Sequence, residues 1–198
     1  QAQTAKPAPV ASLIAKVDIP YQRFTLPNGL RVIVHVGGTA VEAGSELARR
    51  AEAAGADAIA ALAPFYFRPA TSDELLGCLS VLASGGPNTA FYYYDIPVLT
   101  GVTVPLVELA GKARDAIPSF AGIKHTSNDL IAMQGCLAFD GLDVLHGNDE
   151  TLLAGLALGV RGAVGSTYNL APGLYLRLPS SISGNAISFG CFCGTGQC

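Results

Sequence analysis

Short apolar runs alternate with longer stretches rich in Ala, Leu, Glu and Arg between residues 31 and 178. The apolar runs have the length and composition of buried strands, whereas the stretches between them have the period of amphipathic helices. Parallel strands need a crossover between them, so this alternation is typical of a parallel sheet buried under helices. The sequence therefore predicts an α/β fold.

Six runs qualify as strands, and the clearest helices have recognisable starts and compositions. Helices are expected over residues 40–54, over 72–82 with Ser72 as the N-cap, and over 150–158. A βα barrel and a doubly wound sheet both fit this order of elements. The strand candidates are residues 31–37, 56–63, 89–94, 120–124, 142–146 and 162–166.

The positions of the chemically interesting side chains favour the barrel. Tyr94, Lys124, residues 147–150 and residues 166–169 each lie where a strand candidate ends. In a βα barrel, the carboxyl ends of the strands and the loops that follow them form the active face. The sequence contains neither a Gly-x-Gly-x-x-Gly nor a Gly-x-x-x-x-Gly-Lys-Ser/Thr motif, so a nucleotide-binding sheet is unsupported. We therefore expect a (β/α)8 barrel of the TIM type.

Composition limits the partners that this chain can have. The 12 Lys and Arg residues are outnumbered by 15 Asp and Glu residues, which argues against a nucleic-acid partner. No apolar run reaches the roughly 20 residues needed to cross a bilayer. Three of the five cysteines crowd the last eight residues, where no further ligands complete a metal site. We expect no nucleic-acid, membrane or metal partner.

Lys124 carries the strongest chemical signal. It ends an apolar run, where loss of water would lower the pKa of its amine and make it available as a nucleophile. Such a lysine forms a Schiff base with a keto substrate, and the protonated imine accepts the electrons released when a carbon–carbon bond breaks. The alternative is a lysine that reaches from a strand end to solvent. Tyr94, at the neighbouring strand end, favours the first interpretation because a phenol can relay the protons of aldol cleavage.

Asp149 and Glu150 are adjacent carboxylates at another strand end. They suit a ligand with several hydroxyl groups, because each carboxylate accepts more than one hydrogen bond. The alternative is a helix N-terminus, where the helix dipole favours acidic side chains, and both interpretations can hold together. Tyr92 and Tyr93 are expected to be structural, because strand alternation turns one toward the helices and the other toward the interior.

Four motifs together resemble the pyruvate-dependent Schiff-base aldolases, the family that contains N-acetylneuraminate lyase and dihydrodipicolinate synthase. The resemblance covers residues 34–178. The motifs, in this order and spacing, are Phe91-Tyr-Tyr-Tyr-Asp-Ile-Pro97, Gly122-Ile-Lys-His-Thr126, Gly147-Asn-Asp-Glu150 and Gly165-Ser-Thr-Tyr-Asn169. Within the family, the Asp149–Glu150 pair points to the N-acetylneuraminate lyase branch.

The resemblance implies an activity and a set of site residues. The implied activity is a carbon–carbon lyase that cleaves N-acetylneuraminate reversibly to N-acetylmannosamine and pyruvate, without a metal or an organic cofactor. Lys124 is the implied Schiff-base lysine and Tyr94 the implied catalytic tyrosine. The family's tetramers imply a homo-oligomer. The residues implied to contact the sugar part of the substrate are Thr126, Gly147, Asp149, Glu150 and Ser166.

The sequence departs from the family pattern at both ends of the barrel. The family barrel begins with two further strand–helix units, the second of which ends in a Gly-Ser-Thr-Gly-Glu loop that grips the pyruvate carboxylate. The six strand candidates match the third to eighth units, and neither that loop nor the closing helices has a counterpart in the sequence. The predicted barrel is therefore incomplete. Two alternatives stay open: an inactive or weakly active, truncated or fused barrel, and a related 2-keto-acid aldolase similar to dihydrodipicolinate synthase.

The segments that flank the predicted barrel, which spans residues 34–178, have a different character. Residues 1–16 form an Ala/Pro-rich leader, and 17–33 are expected to form a foreign strand and hairpin, since residues 17–35 resemble the start of insulinase-type zinc proteases. Protease activity is not expected, because no histidine begins a His-x-x-Glu-His zinc motif. Residues 179–198 are expected to be irregular. The barrel favours a cytoplasmic protein, whereas the leader suits an exported one.

Overall fold

The computed structural model describes residues 32–175, residue 177 and the strand at 188–190. At its centre is a parallel sheet in which the order of the strands across the sheet is their order along the chain. The strands are β1 (Ile33–His35), β2 (Ala58–Leu62), β3 (Ala90–Asp95), β4 (Phe120–His125), β5 (Asp143–His146), β6 (Gly162–Val164) and β7 (Ser188–Gly190).

Helices connect the successive strands. Two single turns of 3₁₀-helix, Asp149–Thr151 and Thr167–Asn169, follow β5 and β6. The α-helices are α1 (Val41–Ala54), α2 (Ser72–Ser84), α3 (Pro97–Thr100), α4 (Leu106–Ala116), α5 (Leu130–Leu137), α6 (Leu152–Leu158) and α7 (Pro172–Tyr175). Among the described residues, no helix is both long enough and apolar enough to span a membrane.

This topology confirms the predicted fold class, an incomplete (β/α)8 barrel. Sequential parallel pairing with helical crossovers builds a barrel, whereas a doubly wound sheet reverses its strand order at a switch point. All six predicted strands are present, as β1 to β6. The described residues thus form a curled part of a barrel, with the carboxyl ends of all its strands on the same side.

The structure corrects the predicted start of two helices. Helix α2 is capped by Thr71 and not by Ser72: the Thr71 hydroxyl accepts a hydrogen bond of 3.2 Å from the Glu74 amide. Thr71 has the extended backbone of an N-cap, whereas Ser72 is already helical and buried. The helix predicted over 150–158 begins with the 3₁₀ turn at Asp149 and becomes an α-helix only at Leu152.

A third correction concerns the segment 179–198, which was expected to be irregular. Within it, β7 pairs in parallel with β6 and extends the sheet by one strand. A strand is recognised in a sequence by alternating apolar and polar residues, and three residues are too few to show this alternation. The strand is therefore determined by its pairing with β6 and not by a local sequence pattern. The leader at 1–16 and most of the segment 17–33 lie outside the described residues, but Ile33 already belongs to β1 of the barrel sheet.

The two faces of β3 lie in different surroundings. On β3, Phe91 and Tyr93 are 0% and 1% exposed and pack into the core under the helices. Tyr92 and Tyr94 are only partly buried, and the Tyr92 hydroxyl donates a hydrogen bond of 2.9 Å to Asp143 Oδ2 on β5. The structural roles predicted for Tyr92 and Tyr93 agree with these positions. Tyr94 therefore lies on the face of β3 that points away from this core.

Candidate active site

Lys124 and Tyr94 lie next to each other at the carboxyl ends of β4 and β3. They are directly opposite in the strand register, and the Lys124 ammonium lies 3.9 Å from the centre of the Tyr94 ring. Only 7% of Lys124 is exposed, so it does not reach out to solvent as the alternative interpretation required. The structure therefore brings together the two residues that the sequence proposes for the chemistry.

Burial changes the proton affinity of both groups. Loss of water lowers the pKa of Lys124 from its ordinary value of 10.5 to about 8, although the negative charge of Asp149 acts in the opposite direction. Burial raises the pKa of the Tyr94 phenol, and a hydrogen bond with Thr126 offsets part of that rise. Near neutral pH, the site thus contains an amine that deprotonates readily and a phenol that keeps its proton.

A cavity of about 740 Å³ opens above these two residues at the carboxyl ends of the strands. Its wall is formed by the loops that follow β3, β4, β5 and β6, as expected for the active face of a barrel. Glu150 and Ser166 are exposed at its edge, whereas Thr126, Gly147 and Asp149 are partly buried. All seven residues proposed from the sequence line this cavity: Tyr94, Lys124, Thr126, Gly147, Asp149, Glu150 and Ser166.

Asp149 is held in a fixed orientation by the loop after β6. Its Oδ2 atom accepts hydrogen bonds from the Thr167 amide and hydroxyl, at 2.9 and 2.8 Å. Its Oδ1 atom is buried, and the carboxylate also interacts with the Tyr168 phenol. A Cβ atom at Gly165 would overlap this carboxylate, so only glycine leaves room for it. The Asp149 carboxylate is therefore fixed in place on the cavity wall.

Asp149 and Glu150 also occupy the start of a helical segment, because the 3₁₀ turn of Asp149–Thr151 leads directly into α6. The structure thus agrees with both interpretations of this pair. The backbone position places the carboxylates at a helix N-terminus, and the side-chain position places them on the cavity wall.

Thr126 and Gly147 begin the loops after β4 and β5. The Thr126 amide donates a hydrogen bond of 2.8 Å to the Asp95 carbonyl, and the Gly147 amide donates one of the same length to the His125 carbonyl. A Cβ atom at Gly147 would overlap the Thr126 hydroxyl. The two loops are thus tied to the neighbouring strands and packed against each other.

The structure adds two residues that the sequence analysis did not select. His35, at the end of β1, places its ring edge-on to Tyr94, with 6.0 Å between the ring centres. Burial lowers the pKa of His35, as does the positive charge of Lys124. Thr167 orients Asp149. His35 lies near the end of a predicted strand, and this same position at a strand end indicated Lys124. Thr167 lies within the motif at 165–169.

Among the described residues, no three His, Cys, Asp or Glu side chains are grouped as they would be around a metal ion. The site instead combines a buried lysine, a protonated phenol and a fixed carboxylate at the open end of a parallel barrel sheet. This combination is that of a βα-barrel site with a lysine suited to nucleophilic chemistry. A sequence comparison identifies the particular family: residues 25–183 match the model of the dihydrodipicolinate synthetase family. The chain belongs to that family.

Individual relatives support the same assignment. Over 141 residues, the chain is 46% identical to N-acetylneuraminate lyase of Gallus gallus, a match that covers 70% of this chain and 46% of the relative. The solved structure of Proteus mirabilis N-acetylneuraminate lyase superposes with a TM-score of 0.75 at 35% identity and covers 79% of this chain and 54% of the other. The structure of a catalytic lysine mutant of Ruminococcus gnavus sialic acid aldolase superposes with a TM-score of 0.72 at 34% identity. This match covers 79% of this chain and 52% of the other.

The chain therefore spans about half the length of the curated relatives it matches. The family match begins at residue 25, inside the segment 17–33 that the sequence analysis sets apart as foreign. The resemblance of residues 17–35 to insulinase-type proteases finds no support in these comparisons.

Proposed function

We propose that the cavity is the active site of a Schiff-base aldolase that cleaves N-acetylneuraminate reversibly to N-acetylmannosamine and pyruvate. The observation that carries this proposal is the position of the Lys124 ammonium, buried 3.9 Å from the centre of the Tyr94 ring at the carboxyl edge of the sheet. The named relatives support the choice of substrate, because they are N-acetylneuraminate lyases and a sialic acid aldolase.

Lys124 is the proposed nucleophile. With a pKa of about 8, roughly one amine in ten is neutral at pH 7, against about one in three thousand at the ordinary value of 10.5. The neutral nitrogen adds to the keto carbon of the substrate, and water leaves to give a protonated imine. This imine takes up the electron pair of the neighbouring carbon–carbon bond as that bond breaks, which leaves an enamine on Lys124.

Tyr94 is the proposed proton relay. Its phenol is protonated in the resting site and donates that proton to the hydroxyl that leaves as water when the imine forms. The resulting phenolate is next to the positive charge of the imine, and it then accepts the proton from the substrate hydroxyl whose carbon becomes the aldehyde. Protonation of the enamine and addition of water to the imine release pyruvate and restore the lysine.

The opposite wall of the cavity is the proposed sugar site. Asp149 and Glu150 both carry carboxylates on this wall, and carboxylates accept hydrogen bonds from sugar hydroxyls. Glu150 and Ser166 are exposed at the cavity edge and would contact the outer part of the sugar, and Thr126 and Gly147 the part nearest the lysine.

Product analysis tests this function. The purified chain is incubated with N-acetylneuraminate, and pyruvate and N-acetylmannosamine are measured together. We expect equal amounts of the two products, and no turnover by the Lys124→Arg variant. Lys112→Arg is the matched control and should retain full activity, because Lys112 is a surface residue paired with Asp73 and Glu108.

Two results would replace this function with one of its alternatives. Release of no product although the chain is folded would favour the inactive barrel. Turnover of another 2-keto acid with a different aldehyde, and none of N-acetylneuraminate, would favour an aldolase related to dihydrodipicolinate synthase.

A further inference from the structure

Three buried polar side chains form a row directly behind the proposed active site. Asp95 on β3, His125 on β4 and His146 on β5 are opposite one another in the strand register. They are 9%, 1% and 0% exposed. Asp95 follows Tyr94 and His125 follows Lys124 in the sequence, so this row lies on the helix-facing side of the strands that carry the two reactive residues.

His125 makes two hydrogen bonds, both to oxygen atoms. Its Nδ1 atom lies 2.7 Å from Asp95 Oδ2, and its Nε2 atom lies 3.0 Å from the backbone carbonyl oxygen of Asp129. A carbonyl oxygen and a carboxylate oxygen only accept hydrogen bonds, whereas a neutral imidazole has a single N–H to donate. Both contacts are satisfied together when His125 carries two protons and Asp95 carries none.

We propose that Asp95 and His125 form a buried carboxylate–imidazolium pair that positions Tyr94 and Lys124. The pair joins β3 to β4 one residue beyond the reactive groups. The carbonyl groups of Asp95 and His125 also accept the amides of Thr126 and Gly147, at 2.8 Å each. The side-chain pair and these backbone hydrogen bonds thus act at the same two strand ends, on which the distance between Tyr94 and Lys124 depends.

The groups packed around His125 are compatible with its positive charge. From β5, His146 contacts Met133 Sδ at 3.4 Å and the Thr151 hydroxyl at 3.1 Å, and burial lowers its pKa, so it stays neutral. From α5, Cys136 is a thiol whose pKa burial and the charge of Asp95 raise to about 12. The Asp129 side chain caps α5 through the Ala132 amide, and Lys124 belongs to the opposite face of β4.

Nuclear magnetic resonance of ¹⁵N-histidine-labelled protein tests the charge of this pair directly. The chain contains three histidines, so only three rings contribute signals. We expect one ring, absent from the spectrum of His125→Gln, to carry a proton on each nitrogen at pH 7, because both nitrogens face oxygen acceptors. In Asp95→Asn this ring should carry a single proton at the same pH, because the charge of the carboxylate is lost. A neutral His125 in the wild-type chain at pH 7 would overturn the pair.

The positioning role rests on the proposed function and has a separate test. We expect Asp95→Asn and His125→Gln to lower kcat about 10- to 100-fold while KM changes less than threefold, since small misplacements of reacting groups slow the chemistry itself. Tyr92→Phe is the matched control, because it also removes one inter-strand hydrogen bond from β3, and it should stay within twofold of wild type.

The outcomes of the two tests are distinguishable. If Asp95→Asn turns over as the wild type does, the positioning role is wrong even if the ion pair exists. If the wild-type chain has no activity, the proposed function fails, and the resonance measurement still decides the charge of the pair. A circular dichroism melt of each variant checks that its fold is intact.

Discussion

Tyr94 and Lys124 face each other across β3 and β4, with the ammonium 3.9 Å from the centre of the phenol ring. The ring face attracts the cation, and the hydroxyl at the ring edge remains available for proton transfer. The ring–ammonium contact and the proposed proton transfer can therefore be separated by a substitution that keeps the ring and removes the hydroxyl.

Tyr94→Phe should retain the fold and the ring–ammonium contact but lose proton transfer. We expect kcat for N-acetylneuraminate cleavage to fall by about 10²-fold or more, the usual contribution of a general acid–base group. Steady-state kinetics with a pyruvate readout would measure this. An activity within twofold of wild type would show that another group moves the proton.

The buried ammonium of Lys124 should destabilise the fold at neutral pH. Its pKa is about 8 in the folded chain and near 10.5 when unfolded, so between these values the unfolded chain binds the extra proton. The free energy of unfolding should therefore rise with pH between about 8 and 10.5, by at most about 3 kcal/mol.

Lys124→Met tests this contribution in urea titrations at pH 7 and pH 10. It should be more stable than wild type at pH 7, and the difference should shrink at pH 10 because the wild-type lysine is then mostly neutral. A difference that does not change with pH would contradict the lowered pKa of Lys124.

Asp149→Asn should lower the pKa of Lys124 further, because the negative charge that opposes the effect of burial is lost. We expect the midpoint of the pH dependence of pyruvate imine formation to move below that of wild type. The Asp140→Asn variant is the matched control, since Asp140 is an exposed acid outside the cavity, and its midpoint should equal that of wild type. An upward movement in Asp149→Asn would refute the electrostatic coupling.

Gly165→Ala should damage the sugar site and leave the lysine chemistry intact. The added Cβ overlaps the Asp149 carboxylate, which must move away from Thr167. We expect KM for N-acetylneuraminate to rise about tenfold or more, while imine formation with pyruvate continues at a near wild-type rate. Gly173→Ala places its Cβ in open space and should have neither effect. An unchanged KM in Gly165→Ala would exclude Asp149 from sugar binding.

Much of the fold was predictable because it depends on local patterns. The six apolar runs are strands, and all of them except the edge strand β1 pair with a strand on each side. The position at the end of a strand is enough to indicate Lys124, Tyr94 and Asp149 without any knowledge of their contacts. The cap of α2 was not predictable to the residue, because Thr71 and Ser72 are nearly equivalent caps and the backbone conformation decides between them.

The geometry of the site depends on features that no local pattern contains. The register between β3 and β4 shifts at Phe91 and Tyr92, and only this shift brings Tyr94 opposite Lys124. The orientation of Asp149 depends on Thr167, 18 residues further along the chain. The hydrogen bond between Asp95 and His125 joins residues 30 positions apart in the sequence. Sequence spacing identifies the residue types, but pairing register and long-range contacts determine their distances.

Reductive trapping tests the central claim, the nucleophilic role of Lys124, most directly. The chain is incubated with pyruvate and sodium borohydride, digested with trypsin and mapped by mass spectrometry. The chain has four lysines, of which Lys6, Lys16 and Lys112 serve as internal controls. If Lys124 is the nucleophile, the peptide 115–124 disappears and a modified peptide 115–161 replaces it, because trypsin does not cleave at the modified Lys124. Absence of an adduct in the folded chain, or an adduct on another lysine with Lys124 unmodified, would contradict that claim.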